Sequence, residues 1–328
     1  MVTQILDQHI ITELLDLSEV LDIVETVFRA HGEEQVIMPP KITLNLALAG
    51  ITSWLNAMPA HIIPLNACGL KWVGGFDANR SAGLPYIIGT IILSDPVRGY
   101  TKAIMDGTVI TNARTGAQTA VAAKYLASSA ARTAAIVGAG TQGIWTARAL
   151  AQTLPLQEIR FADVDRDRVK NQVDRLSTEL GLDLIASPDV PTAVLEADII
   201  VTCTTSVKPY LAKRWVKPGA FISAIGSYQE LEEDLTLSAD KLFVDSWEQN
   251  QHRGELLSLL QAGKLEARDI YGEVGQVVAG KIPGRETPEE TIVACIIGMG
   301  SHDVAVAHML WEKARQQGLG FQSLLNQL

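Results

Sequence analysis

Gly138, Gly140 and Gly143 stand in the middle of the chain, and their neighbours leave few folds open. A run of β-branched and small apolar residues, Thr133 to Val137, leads straight into the first glycine, and a helix-like segment, Ile144 to Thr153, follows the third. Strand, glycine turn and helix in that order make a phosphate cradle. Gly138 permits the tight turn, Gly140 lets the backbone approach a pyrophosphate, and Gly143 allows close helix–strand packing. The helix N-terminus then offers unpaired N–H groups and the positive end of a dipole to an anion. Three glycines at this spacing also arise by chance, so the flanking pattern carries the reading. It implies a dinucleotide without yet naming a chemistry.

An acidic residue further on is the next requirement. Gln157 to Ala162 reads as a second strand, with Asp163 at its C-terminal end. A carboxylate there accepts both ribose hydroxyls of NAD and repels the 2′-phosphate of NADP. Arg166 and Arg168 follow closely and are near enough in sequence to reach a phosphate. The alternative is that Asp163, Asp165 and Asp167 only begin the next helix as caps. The expected cofactor is NAD or NADP, with Asp163 favouring NAD.

From Ala131 onward, strand-like runs at Ala134–Val137, Ile159–Ala162, Asp198–Cys203, Ala220–Ile225 and Leu242–Val244 alternate with helical or loop segments. That alternation predicts an α/β fold, a Rossmann-type doubly wound parallel sheet. Ahead of it lie a helix, Ser18 to His31, with Ser18 as N-cap, and strand-like runs at Lys41–Leu48, Gly69–Val73 and Tyr86–Leu93. A small-residue helix, Gly116 to Leu126, opened by Thr111 to Thr115, predicts close packing against another backbone. Ser301 to Gln317 reads as an amphipathic helix that returns to the first region, with Gly298-Met299-Gly300 at the crossing. The predicted division is residues 1–112 with 302–328, an α+β domain, and residues 113–301, the dinucleotide-binding domain.

With 328 residues the chain can build two cores. A formal charge of −10 argues against a nucleic-acid surface or an anionic-membrane footprint. Cys68, Cys203 and Cys295 are widely separated and odd in number, which fits a reducing, cytoplasmic compartment. The first residues lack the basic start and apolar run of a signal peptide, and no 18-residue charge-free apolar stretch suggests a membrane span. Six scattered histidines form no HExxH-like cluster, so no metal is expected.

Several further stretches stand out: Met58-Pro59-Ala60, the segment GLKWVGGFDANRSAGLP around Lys71, and Leu93-Ser94-Asp95 through TKAIMDGTVITNARTGAQTAVAAKYLA. After VGAGTQG come KPGAFISAIGS and YGEVGQVVAGKIPGRE. In these stretches, over nearly its whole length, the chain resembles the ornithine cyclodeaminase/mu-crystallin family of NAD(P)-dependent proteins. Asp106-Gly107 and Thr111 to Thr115 are the most family-specific part. The resemblance implies a first domain that binds substrate and forms a homodimer.

Hydride transfer at a 2-amino or 2-imino acid needs cations for the carboxylate and a group that moves a proton at nitrogen. Arg114 grips a carboxylate bidentately and lysines add point charge. In the family a basic residue after a proline-rich turn, a lysine and an arginine surround the substrate carboxylate, at positions matching Lys41, Lys71 and Arg114. Family members often carry arginine at the first of these, so Lys41 is a departure. Desolvation and neighbouring cations would make Lys71 the acid or base. Asp106 and Glu273 are the other candidates, each equally readable as a cap. Ornithine cyclodeaminases carry glycine and then aspartate after the stretch matching Ala224-Ile225-Gly226, whereas this chain has Ser227 and Tyr228, with Glu230 near enough to substitute.

The assignments are therefore Lys71 as catalytic residue and Lys41, Lys71, Arg114 and Tyr228 for the substrate. The cofactor is assigned Tyr86, Thr111, Arg114, Thr115, Gly138, Gly140, Thr141, Gln142, Gly143, Asp163, Thr204, Thr205, Gly226 and Ser227. The expected activity is reduction of a small imino acid, of the ketimine or Δ1-pyrroline-2-carboxylate reductase or alanine dehydrogenase type. Ornithine cyclodeamination and non-catalytic ligand binding of the mu-crystallin kind are the alternatives. Trp54 is read as core packing in preference to pocket lining. His302 and Asp303 are adjacent on a helix and do not face each other, so Asp303 is read as a first-turn or hinge residue.

Overall fold

In a computed structural model the chain forms two compact units, residues 1–114 with 299–328 and residues 115–298. The structure describes residues 2–47, 50–51 and 53–325, without the side chain of Arg80, so Leu48, the predicted end of one strand, lies outside it.

The first unit carries strands β1 (Thr3–Leu6), β2 (Val36–Ile37), β3 (Ile42–Asn45), β4 (Ser53–Ile62), β5 (Ala67–Phe76), β6 (Ile87–Ser94) and β7 (Thr101–Asp106). The second carries β8 (Thr133–Val137), β9 (Glu158–Ala162), β10 (Asp183–Ala186), β11 (Ile199–Thr202), β12 (Phe221–Ala224), β13 (Lys241–Val244), β14 (Gly272–Glu273) and β15 (Ile292–Cys295). A last short strand, β16 (Phe321–Ser323), belongs again to the first unit.

The first unit's sheet runs β16-β1-β7-β6-β5-β4-β2, with β3 also paired to β4. Residues paired across strands point to the same face. Met58 pairs with Lys71, Lys71 with Ile91, Ile91 with Met105 and Met105 with Leu6, which makes one buried row. Lys71 is the only charge in that apolar row. The helix Gly300–Gln317 packs on β4, β5 and β6 and against the helix Leu17–Gly32. Gly300 sets its approach, because a Cβ there would come within 2.9 Å of the Met58 carbonyl oxygen. This helix is not amphipathic in the predicted way. Every residue from Gly300 to Ala307 is buried, Ser301, His302 and Asp303 included, and only its C-terminal half meets solvent.

The helix Leu17–Gly32 begins one residue before the predicted cap. Its N-cap is Asp16, whose carboxylate accepts from the Ser18 and Glu19 amides, and Val20, Val24, Val27 and Phe28 follow at helical spacing on the buried side. The helix predicted from Gly116 starts earlier, at Thr108, where both Asp106 oxygens accept from the Thr108 amide. Its small residues do bring backbones together: a Cβ on Gly116 would sit 2.4 Å from the Trp145 carbonyl oxygen.

The second unit is a doubly wound parallel sheet in the order β10-β9-β8-β11-β12-β15-β13-β14. All residues of β11, β12, β13 and β15 are buried, as in a sheet covered on both faces. Strand β15, not foreseen from sequence, inserts between β12 and β13. The order reverses between β8 and β11, and in open α/β sheets ligands bind beyond the C-terminal ends of the strands at such a point.

Candidate active site

In the first unit Lys71 is 1% exposed and Arg114 5%, and both meet one carboxylate. The Lys71 Nζ lies 2.7 Å from Asp303 Oδ2, and Arg114 Nε donates to Asp303 Oδ1 at 2.9 Å. The Thr111 hydroxyl completes the cluster, 3.3 Å from Lys71 Nζ and 3.4 Å from Asp303 Oδ1. The four side chains arrive from three elements: Lys71 from the sheet row, Thr111 and Arg114 from the helix Thr108–Leu126, and Asp303 from the first turn of Gly300–Gln317. Burial and the Arg114 guanidinium pull the Lys71 ammonium down to about 7, against the opposing pull of Asp303. Burial pushes the Asp303 carboxyl up, but the charges of Arg114 and Lys71 outweigh it and hold the group below the usual carboxylate range. Lys71 thus exchanges a proton near neutrality while Asp303 stays ionised.

The sequence reading of Asp303 as a first-turn or hinge residue is corrected here. It does lie in the first turn, yet it is fully buried and serves as the counter-ion of both cations. The buried cations therefore need no external anion to be tolerated. The neighbouring His302 points elsewhere, its ring centroid 4.5 Å from that of Phe28, and burial takes its imidazole down to about 3, hence neutral. Asp106 and Glu273 are caps. Asp106 holds the Thr108 amide, while Glu273 forms a capping box with Gln276 and accepts from the Trp247 amide at 2.6 Å.

The second unit holds the glycine loop, at the C-terminal end of β8 beside the switch point. Gly138 has φ +114°, and a Cβ there would meet the Cys203 carbonyl oxygen at 2.8 Å. A Cβ on Gly143 would come within 2.0 Å of the Gly138 carbonyl oxygen. Both positions need glycine for the protein's own packing. Gly140 does not: its φ of −81° suits any residue, and a Cβ would meet no protein atom within 4 Å. Yet Gly140 is the N-cap of the helix Thr141–Thr153, with no side chain capping that end. An open space against uncapped helix N–H groups is what a bound pyrophosphate requires, so these residues fit the dinucleotide.

Asp163 follows β9. One of its oxygens accepts from the Ala139 amide at 2.8 Å and the other from the Asp165 amide at 3.0 Å. The capping role falls to Asp165, which accepts from the Arg168 amide as N-cap of Arg166–Leu180. Arg168 pairs with Asp165 at 3.0 Å and stands 3.9 Å from Asp163.

Over residues 1–318 the sequence matches the Ornithine cyclodeaminase/mu-crystallin family. The chain belongs to this family. It is 33% identical over 324 residues to an alanine dehydrogenase of Archaeoglobus fulgidus, covering 98% of each chain. It superposes with a TM-score of 0.93 on the Δ1-pyrroline-2-carboxylate reductase of Thermococcus litoralis in complex with NADH and L-proline, at 26% identity, covering 97% of this chain and 99% of that one. An archaeal alanine dehydrogenase dimer with bound NAD gives a TM-score of 0.93 at 33% identity, covering 99% of this chain and all of the other.

Within the ornithine cyclodeaminase/mu-crystallin family this member has its own placements. Lys41 is half-buried, one residue ahead of β3 and its Ile42–Ala57 pair. Tyr86 is half-buried just ahead of β6, and Trp54 is half-buried against Gly75. Thr111, assigned from sequence to the cofactor, has its hydroxyl in the Lys71–Asp303 cluster. Thr115 and Gln142 are half-buried, whereas Thr141, Thr205, Ser227 and Tyr228 are exposed. The Thr204 hydroxyl turns inward to Glu230, and Thr205 is the exposed member of that pair. Glu230 is fully buried, and its Oε1 is taken up by the Thr204 amide and hydroxyl and the Tyr210 hydroxyl.

Proposed function

We propose that this protein is an NAD(P)-dependent oxidoreductase that moves a hydride between nicotinamide and the α-carbon of a small imino or amino acid. Substrates of the alanine, cyclic ketimine and Δ1-pyrroline-2-carboxylate kind fit best. The observation that carries this reading is the buried Lys71–Asp303–Arg114 cluster, in a chain that also holds the glycine cradle. With Lys71 protonated, the trio bears one net positive charge, the complement of one carboxylate. Arg114, assisted by Lys41, holds that carboxylate, and Lys71 delivers a proton to the imine nitrogen. Asp303 fixes Lys71 and Arg114 and keeps them from repelling each other. A bound nicotinamide dinucleotide supplies the hydride, and Gly138 to Gly143 with Asp163 hold its phosphates and ribose. Relatives that carry out such reactions, alanine dehydrogenase and Δ1-pyrroline-2-carboxylate reductase, support the assignment.

Cyclodeamination of ornithine is disfavoured, because Tyr228 stands where an acid would hold the distal ammonium and Glu230 faces inward. NADH and NADPH oxidation followed by absorbance, with cyclic imines and with pyruvate plus ammonia, tests the activity. Binding without oxidation across that panel would favour the mu-crystallin-like reading instead.

We place the protein in the cytoplasm, which three free cysteines suit. No helix among the described residues is long and apolar enough to cross a membrane. We also assign it a homodimer. The face of the first sheet opposite Lys71 exposes Ile37, Ile42, Leu44, Trp72 and Ile88, and exposed apolar side chains gathered on one face are of the kind that marks an interface. The dimer of the archaeal alanine dehydrogenase supports the homodimer, and this face is the one we assign to the second copy.

A further inference from the structure

Two carboxylates in the second unit are buried as deeply as Asp303, yet no cation is paired with either in the contacts described for them. Glu230 is 0% and Glu255 1% exposed. Burial pushes both carboxyls above their ordinary range, Glu255 to about 8. Burying such groups is costly unless hydrogen bonds satisfy them, and here the bonds connect one backbone segment to another. Glu230 Oε1 accepts from the Thr204 amide at 2.8 Å, the Thr204 hydroxyl at 2.5 Å and the Tyr210 hydroxyl at 2.9 Å. Its Oε2 lies against Gly226, where a Cβ would come within 2.2 Å. Glu255 holds Glu230 in turn, accepting from the Glu230 amide at 2.7 Å and the Leu231 amide at 3.1 Å.

Thr204 follows β11, and Gly226 follows β12, at the C-terminal ends of two neighbouring parallel strands. Those two loops carry Thr204, Thr205, Gly226 and Ser227, which the sequence assigns to the cofactor. We propose that Glu230, braced by Glu255, is a positioning residue that sets the spacing of the Thr204–Thr205 and Gly226–Ser227 loops and thereby the affinity for the nicotinamide dinucleotide. This rests on the dinucleotide reading of the second unit. Glu230 acts through Thr204 and Gly226 and touches neither substrate nor cofactor. Gly226 is then glycine because the carboxylate occupies the space of its side chain.

The test is NADH binding by fluorescence, with steady-state kinetics, on purified Glu230→Ala, Glu230→Gln, Tyr210→Phe, Gly226→Ala and the Gly226→Ala/Glu230→Ala double variant. Glu230→Ala should weaken NADH binding and raise its KM tenfold or more, with the imino-acid KM changed less than twofold. Glu230→Gln, which keeps an oxygen acceptor for Thr204, should restore most of the affinity, and Tyr210→Phe should lose only a few-fold. Gly226→Ala should bind NADH poorly, and adding Glu230→Ala should improve it, since removing the carboxylate makes room for the methyl. A purely structural role would lower thermal stability and raise both KM values without this pattern of rescue. Unchanged NADH affinity in folded Glu230→Ala, or a double variant worse than Gly226→Ala alone, would overturn the proposal. If the wild-type protein fails to bind NADH and NADPH, the dinucleotide reading itself falls and this inference with it.

Discussion

Asp303 carries the electrostatics of the first unit. Replacing it by Asn leaves Lys71 and Arg114 buried side by side without their counter-ion, a change expected to cost about 3–5 kcal/mol of stability, measurable by urea unfolding. It also removes the influence that raises the Lys71 pKa. In the wild type, proton donation to an imine needs the ammonium form, so kcat/KM for reduction should fall as pH rises through about 7. In Asp303→Asn that limb should move to lower pH, and in Lys71→Arg, which stays protonated, it should disappear. A limb at the same pH in all three proteins would remove Lys71 from proton transfer. In the second unit, Asp163→Asn should raise the ratio of NADPH to NADH efficiency about tenfold to a hundredfold, the worth of one hydrogen bond to a charged group. An unchanged ratio would mean that Asp163 serves only the Ala139 and Asp165 amides. Lys71 and Arg114 stand out in the sequence as cations among small and apolar neighbours. Asp303 does not, because its partners come from distant elements, and a first-turn acid on a helix is ordinarily a solvated dipole partner.

Strand–turn–helix order made the glycine element legible, since each glycine answers to a different local constraint, and those constraints separate experimentally. Gly143→Ala pushes a methyl into the Gly138 carbonyl oxygen and should destabilise the fold by about 1–3 kcal/mol. Gly140→Ala meets no protein atom and should leave thermal stability unchanged while weakening NADH binding at least about tenfold, roughly 1.4 kcal/mol. Equal loss of stability in both would contradict the open cradle at Gly140. Other elements were less visible. Ile292–Cys295 is only four apolar residues long, and its place between β12 and β13 comes from parallel pairing that leaves no local mark. The helix Gly300–Gln317 has polar residues in its first turn, Ser301, His302 and Asp303, that imitate a solvent face although all three are buried, Asp303 in the ion cluster. Ser18 looked like a cap because it precedes the apolar run, but Asp16, two residues earlier, has the reach to the free amides.

At the scale of the whole molecule, the alternation of strands and helices after residue 131 disclosed a parallel sheet, and the mid-chain position of the glycine loop implied a separate structure ahead of it. The first sheet's apolar outer face was not legible, because strands exposed on one side and strands buried on both read alike when the exposed positions are Ile, Leu and Trp. Covering that face with a second copy predicts a particle of twice 35.4 kDa by light scattering. A Trp72→Asp/Leu44→Lys variant should yield monomers, whereas a wild-type protein that is monomeric at micromolar concentration would leave the face unexplained. The central claim is that buried Lys71, held by Asp303 beside Arg114, handles the proton in a nicotinamide-dependent reduction of a small imino acid. Its most direct measurement is NADH oxidation with Δ1-pyrroline-2-carboxylate, and with pyruvate plus ammonia, by the wild type and by Lys71→Ala at matched folding. Rapid oxidation by the wild type with at least one of these, and a loss of about a hundredfold or more in the variant, is the predicted result. Full turnover by Lys71→Ala with every imino acid tried would contradict it.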